Sequence, residues 1–277
     1  MGTLALRVTG ATLRYPQRVL PVLDGLDFTV ESGEVVALVG PSGGGKSSLL
    51  RAIAGLERLD RGRIEILAGQ RNDVQAVTAN GRGKPAAFGI AFQEPLLLPW
   101  LTVTENVALG RRYSANRQVE SPTIDDLLDQ FGLWGVRNAY PSELSGGQAQ
   151  RASVARAVAV RPAVLLLDEP FGAVDPATRR GLQDWLRSVV LAWGLTVVIV
   201  THDLAEAIAL GDRIALIDGS GKVARTFVTE GAGPSLAHDI LAWFPSHRPS
   251  ASIAGSGSLP IGTGGASHPR AEVQFAT

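Results

Sequence analysis

Residues 4–9 and 26–30 cluster or alternate apolar side chains as strands do, with a polar turn around Pro16, Gln17 and Arg18 between them. Residues 35–39 are apolar throughout, as expected of a strand buried on both faces. A glycine-rich turn follows, and the pattern then predicts a helix over about 46–55. Further strands are predicted at 63–67, 87–92, 163–167, 195–200, 213–217 and 223–228. Helices are predicted at 104–109, 123–131, 147–159, 177–193 and 203–209, with a weaker one at 234–243. Strands that alternate with helices imply an α/β fold built on a mostly parallel sheet. The stretch 94–160 holds no convincing strand and reads as a helical insertion, while residues 68–86 form a long connection rich in Gly and polar residues. Residues 245–277 lose all apolar period and fill with Ser, Gly and Pro, so a disordered tail is expected after a domain spanning 1–244.

Composition narrows the class. Lys plus Arg and Asp plus Glu are both 26, so the chain is formally neutral, which argues against a dedicated nucleic-acid partner. A mean hydropathy of +0.14 is on the apolar side, yet no run of 18 apolar residues reads as a membrane span. The start lacks the basic region and apolar stretch of a signal peptide, and the absence of cysteine excludes disulfides and thiolate metal sites. A cytoplasmic location is therefore expected. Only three of the basic residues are lysines (Lys46, Lys84 and Lys222), which sharpens interest in where Lys46 falls.

It falls in Gly40-Pro41-Ser42-Gly43-Gly44-Gly45-Lys46-Ser47, followed by Ser48, a match to the phosphate-binding loop between an apolar strand and a helix. Glycines let backbone N–H groups turn inward around phosphate oxygens, and a helix N-terminus favours an anion. Lys46 would reach the β- and γ-phosphates, and the Ser47 hydroxyl would ligate Mg²⁺. A second feature is the apolar strand that ends in Asp168-Glu169. At such an edge Asp168 would hold Mg²⁺ and Glu169 would polarise the attacking water, although an Asp-Glu-Pro turn closing a core strand has the same sequence. A third is Leu144-Ser145-Gly146-Gly147-Gln148, where Ser145 can cap a helix and leave N–H groups facing an anion. Locally, a plain capped helix start explains it equally well.

The order Gly40–Ser47, Gln93, Leu144–Gln148, Leu165–Glu169, Gly172–Asp175 and Thr201-His202-Asp203 resembles the ATP-binding subunit of an ABC transporter, over about residues 4–230. The Leu-Ser-Gly-Gly-Gln segment is its specific element. The resemblance implies ATP and Mg²⁺ as ligands, ATP hydrolysis as activity, and a head-to-tail dimer with a second ATPase subunit. It implies that Tyr15 stacks on adenine, Gln93 senses Mg²⁺ and the attacking water, and His202 contacts the γ-phosphate. It implies that Ser145, Gly146, Gly147 and Gln148 meet the ATP bound by the other subunit, and that Asp175 lies in the loop linking the two sites. For each, a plainer role is open: a packed hairpin aromatic for Tyr15, a loop polar residue for Gln93, a helix-start histidine bonded to backbone for His202. Residues 93–107, with Leu97-Leu98-Pro99-Trp100-Leu101-Thr102-Val103, resemble the importers of nitrate, sulfonates and taurine. That implies transmembrane permease subunits that hold this chain at the cytoplasmic face of the membrane, and a solute-binding protein reached only through them. The run Leu96–Trp100 is then a docking surface, unless it packs under the helical region. A non-transport ABC ATPase is the alternative, although the long coiled-coil insertions or tandem halves expected of most such proteins are missing.

Overall fold

The computed structural model describes residues 3–67, 74–77, 88–113, 116, 122–231 and 235–246. The chain opens with β1 (Leu4–Leu13) and β2 (Leu23–Glu31), an antiparallel pair. With β4 (Arg61–Leu67) and β5 (Val74–Val77) they make a four-stranded sheet in the order β2-β1-β4-β5. The second sheet is the predicted parallel one: β3 (Val35–Val39), β6 (Phe88–Ala91), β7 (Val164–Asp168), β8 (Val197–Val200) and β9 (Arg213–Ile217), with β10 (Val223–Val228) antiparallel at the edge. Its order is β10-β9-β3-β8-β7-β6. The helices are α1 (Lys46–Ile53), α2 (Val103–Ala108), α3 (Ile124–Gln130), α4 (Gly146–Val158), α5 (Pro176–Trp193), α6 (Leu204–Leu210) and α7 (Leu236–Ser246). Between Phe92 and Ala163 the described residues hold helices and 3-10 turns and no strand, in line with the helical insertion expected there.

The central strands are buried on both faces, which is why they read as unbroken apolar runs. Val35, Ala37, Leu165, Leu167, Val197 and Ile199 point into the core beneath the helices. Their alternate neighbours Val36, Leu38, Val164, Leu166, Val198 and Val200 point into a second core shared with the antiparallel sheet and α1. Two elements differ from the sequence expectation. β5 interrupts the stretch expected to be connection throughout, and it forms by pairing with β4. α7 is described as far as Ser246, past the point where the tail was expected to start. Residues 247–277, the rest of the expected tail, lie outside the described residues, as do 68–73 and 78–86 of the connection. No helix among the described residues is long and apolar enough to cross a membrane.

Candidate nucleotide-binding site

Because β3, β8 and β7 are parallel neighbours, the segments that leave their C-terminal ends share one edge. β3 runs into Gly40–Gly45, β8 into Thr201-His202, and β7 ends on Asp168 followed by Glu169. This is the crevice where ligands of α/β sheets bind. Five helices carry a side-chain cap at their N-termini, from Thr102, Thr123, Ser145, Asp175 and Asp203. α1 has none: its N-cap is Gly45 in a left-handed conformation (φ 96°), and its first turn holds no acidic residue. The amides of that turn are thus left facing the crevice, as anion binding requires.

A cavity of about 310 Å³ opens there, lined by Tyr15, Arg18, Val22, Ser42, Gly43, Gly45, Lys46, Ser47, Ser48 and Glu169. A larger cavity, about 610 Å³, lies at the opposite end of β7 and β8 against Arg161, Trp193 and Thr196, and holds none of the motif residues. Lys46 is 6% exposed, and its Nζ donates to the Gly40 and Pro41 carbonyls, both at 2.9 Å. Burial pushes its pKa down, while the Glu169 and Asp168 carboxylates oppose that shift. Ser47 Oγ donates to Asp168 Oδ1 over 2.9 Å. Burial raises the Asp168 pKa, with the Ser47 hydroxyl pulling the other way. Glu169 is left-handed (φ 48°), an uncommon state for a residue with a side chain, and its Oε2 accepts from His202 Nδ1–H over 3.1 Å. His202 therefore meets a carboxylate and not the backbone, and its side chain is 61% exposed.

Tyr15 packs against the second core and also lines the cavity. Its hydroxyl donates to Glu57 Oε1 at 3.2 Å and shares a hydrogen bond with Ser48 Oγ at 3.3 Å. Gln93, exposed beyond β6, reaches toward the Glu169 turn; a Cβ on Gly172 would lie 2.9 Å from Gln93 Nε2. Ser145 and Gln148 cap α4 reciprocally: Gln148 N–H donates to Ser145 Oγ at 3.2 Å and Ser145 N–H to Gln148 Oε1 at 2.9 Å. None of Ser145, Gly146, Gly147 and Gln148 lines the cavity, and Ser145 and Gly146 are exposed. Asp175 caps α5 through Thr178, whose hydrogen bonds hold its carboxyl below the usual range. The apolar run divides: Leu97 packs against the core beneath the helices, while Leu96 is 53% and Trp100 69% exposed.

Two residues beside the site carry no motif signal. Arg18, in the turn between β1 and β2, donates to the Gly43 carbonyl over 3.1 Å and lines the cavity. Glu206 lies in α6, behind the turn that bears His202. It is 4% exposed, and its Oε1 has no hydrogen-bond partner. Burial pushes its pKa up to about 7, reinforced by the Asp203 and Glu169 carboxylates and opposed by the Thr201 hydroxyl and Arg179. An acid whose pKa is raised in the folded state binds its proton more tightly there than in the unfolded chain. Its contribution to stability is thus lost as pH climbs from about 4.5 to about 7. At about 1.4 kcal/mol per unit, the loss amounts to roughly 3 kcal/mol. Glu206→Gln removes the titration, so its melting temperature should exceed the parent's at pH 8 and converge with it near pH 5. Melting curves whose difference does not change with pH would refute this.

A family model described as ABC transporter matches residues 23–172. The Sulfate/thiosulfate import ATP-binding protein CysA of Mycobacterium bovis is 46% identical over 216 residues, covering 78% of this chain and 59% of that protein. The chain thus spans about three fifths of the length of these curated relatives. The Aliphatic sulfonates import ATP-binding protein SsuB 1 of Pseudomonas aeruginosa is 45% identical over 208 residues, covering 74% of this chain and 80% of that protein. Among solved structures, the dimeric ATP-binding cassette MJ0796 in a post-hydrolysis state bound to ADP and Pi is similar, with a TM-score of 0.67 at 28% identity. That likeness covers 82% of this chain and 100% of the other.

Proposed function

This chain belongs to the ABC transporter family, and from that premise we propose that it hydrolyses ATP to power uptake of a small solute of the nitrate, sulfonate or taurine kind. The observation that carries the reading is the convergence of Gly40–Ser48, Asp168–Glu169 and His202 on one edge of three adjacent parallel strands, around an uncapped helix N-terminus. Loop amides and Lys46 take the β- and γ-phosphates; Lys46 exchanges the Gly40 and Pro41 carbonyls for phosphate oxygens. Tyr15, which lines the same cavity, takes the adenine. Ser47, Asp168 and Gln93 offer oxygen donors, the hard set that Mg²⁺ requires. The bound ion supplies charge neutralisation at the γ-phosphate. Glu169 accepts the proton of the attacking water, and His202, hydrogen-bonded to it, faces the γ-phosphate.

The exposed Ser145–Gln148 helix end, outside the chain's own cavity, supports a head-to-tail dimer in which it completes the partner's site. The likeness to a cassette solved as a dimer supports the same assembly. Solute passage falls to transmembrane permease subunits, with an extracytoplasmic binding protein acting through them, so the chain works peripherally at the cytoplasmic face. The exposed Leu96 and Trp100 are the docking surface for the permease. Burying one such side chain contributes about 1.5–3 kcal/mol, so Trp100→Ala is expected to weaken permease binding about ten- to a hundredfold. The melting temperature of the isolated chain should hardly move, because Trp100 is not in the core. A pull-down with the permease, alongside thermal melting, checks both halves. The function itself is tested by purifying the tagged chain from membranes of its own host. A multi-spanning permease with two copies of the chain is the expected complex. A complex free of membrane protein would favour the non-transport ATPase instead.

A further inference from the structure

The loop that links β6 to α2 is gripped at two points. Arg156, half-buried in the last turn of α4, donates from one guanidinium nitrogen to the Leu96 carbonyl over 2.8 Å and from another to the Pro95 carbonyl over 2.9 Å. Burial pushes its pKa down, and no carboxylate pairs with it among the described residues. The two acceptors flank a strained point, since Leu96 is left-handed at φ 47°. Farther along, the fully buried Asn106 of α2 accepts from Leu98 N–H at 2.8 Å and donates to the Leu98, Leu101 and Thr102 carbonyls at 3.0–3.1 Å. α2 packs on α4, so both grips belong to the helical layer. Together they hold Leu97 inward and Leu96 and Trp100 outward.

We propose that Arg156 is a positioning residue that makes the Leu96–Trp100 surface move as one body with α4, whose other end is Ser145–Gln148. A planar guanidinium offers two donors to two adjacent carbonyls, which an ammonium does not match. α4 is a single 13-residue helix, so a displacement at its capped start is carried along the axis to Arg156. The loop then has two connections to the nucleotide: Gln93 at its own beginning, and α4 through Arg156. This inference rests on the docking role given above to Leu96 and Trp100.

The test uses the full chain assembled with its permease, as parent, Arg156→Met and Arg156→Lys. Arg156→Met should speed amide exchange in residues 96–101 about tenfold or more. Basal kcat and KM for ATP of the isolated chain should stay within about twofold, whereas permease-stimulated turnover should fall about tenfold. Arg156→Lys, which restores one donor geometry, should lie between. Unchanged exchange in Arg156→Met overturns the grip itself. Stimulated turnover that survives, or that falls only in step with basal activity and melting temperature, overturns the coupling role. Trp100→Ala with undiminished permease affinity overturns instead the docking role beneath it.

Discussion

Glu169→Gln is expected to lower ATP hydrolysis by about 10²–10⁴-fold, the range for loss of a general base. The substitution keeps size and shape and removes only basicity. The left-handed turn that aims the side chain is fixed by backbone: Glu169 N–H donates to the Val200 carbonyl at 2.9 Å, and Gly172 N–H donates to the Glu169 carbonyl at 3.0 Å. A glutamine oxygen can accept from His202 as the carboxylate does, so the two side chains should stay together. ATP affinity should survive, because the α1 amides and Lys46 are untouched. Bound ATP that is not consumed should then trap the head-to-tail dimer, visible as a doubling of mass on sizing columns in ATP. Turnover near the parent's rate would remove Glu169 from the reaction.

The parts of this fold that were legible in sequence share a physical cause. β3, β7 and β8 are buried on both faces, so they read as uninterrupted apolar runs, and the motif residues follow them at the sheet edge. What escaped was set by tertiary partners. β5 exists because β4 offers it a ladder, and Val74–Val77 alone is too short to announce a strand. Arg18 sits in a turn whose composition says only that the chain reverses; its contact with Gly43 depends on how the two sheets stack. Glu206 lies one position from an apolar face in a seven-residue helix, and nothing in its neighbours signals that it is 96% covered. Arg156 looks like an ordinary last-turn cation of α4. Its acceptors are carbonyls 60 and 61 residues away, and backbone acceptors leave no mark in side-chain pattern. Leu96–Trp100 was read as one apolar unit, whereas the loop's twist at Leu96 splits it between core and surface.

Gly45→Ala should damage fold and nucleotide binding together. At φ 96° an added methyl suffers backbone strain, and it would stand 2.6 Å from the Val22 carbonyl oxygen and 2.9 Å from Leu23 Cδ2. Neither neighbour yields easily: Val22 N–H donates to the Leu13 carbonyl at 2.7 Å, and Leu23 is fully buried at the start of β2. Left-handed strain and overpacking each cost about 1–3 kcal/mol, so a loss of about 3 kcal/mol or more is expected. Relief by moving the loop would displace Lys46 and Ser47, which follow directly, so ATP affinity should fall as well. Gly55→Ala isolates the strain. That glycine closes α1 at φ 70°, with nothing within 4 Å of an added Cβ, and its substitution should cost only about 1–2 kcal/mol and leave ATP binding intact. Denaturant melts and ATP titrations of both variants make the comparison. Equal losses of stability would mean that the approach of β2 to the phosphate loop does not constrain Gly45, and that any glycine-compatible turn would serve there.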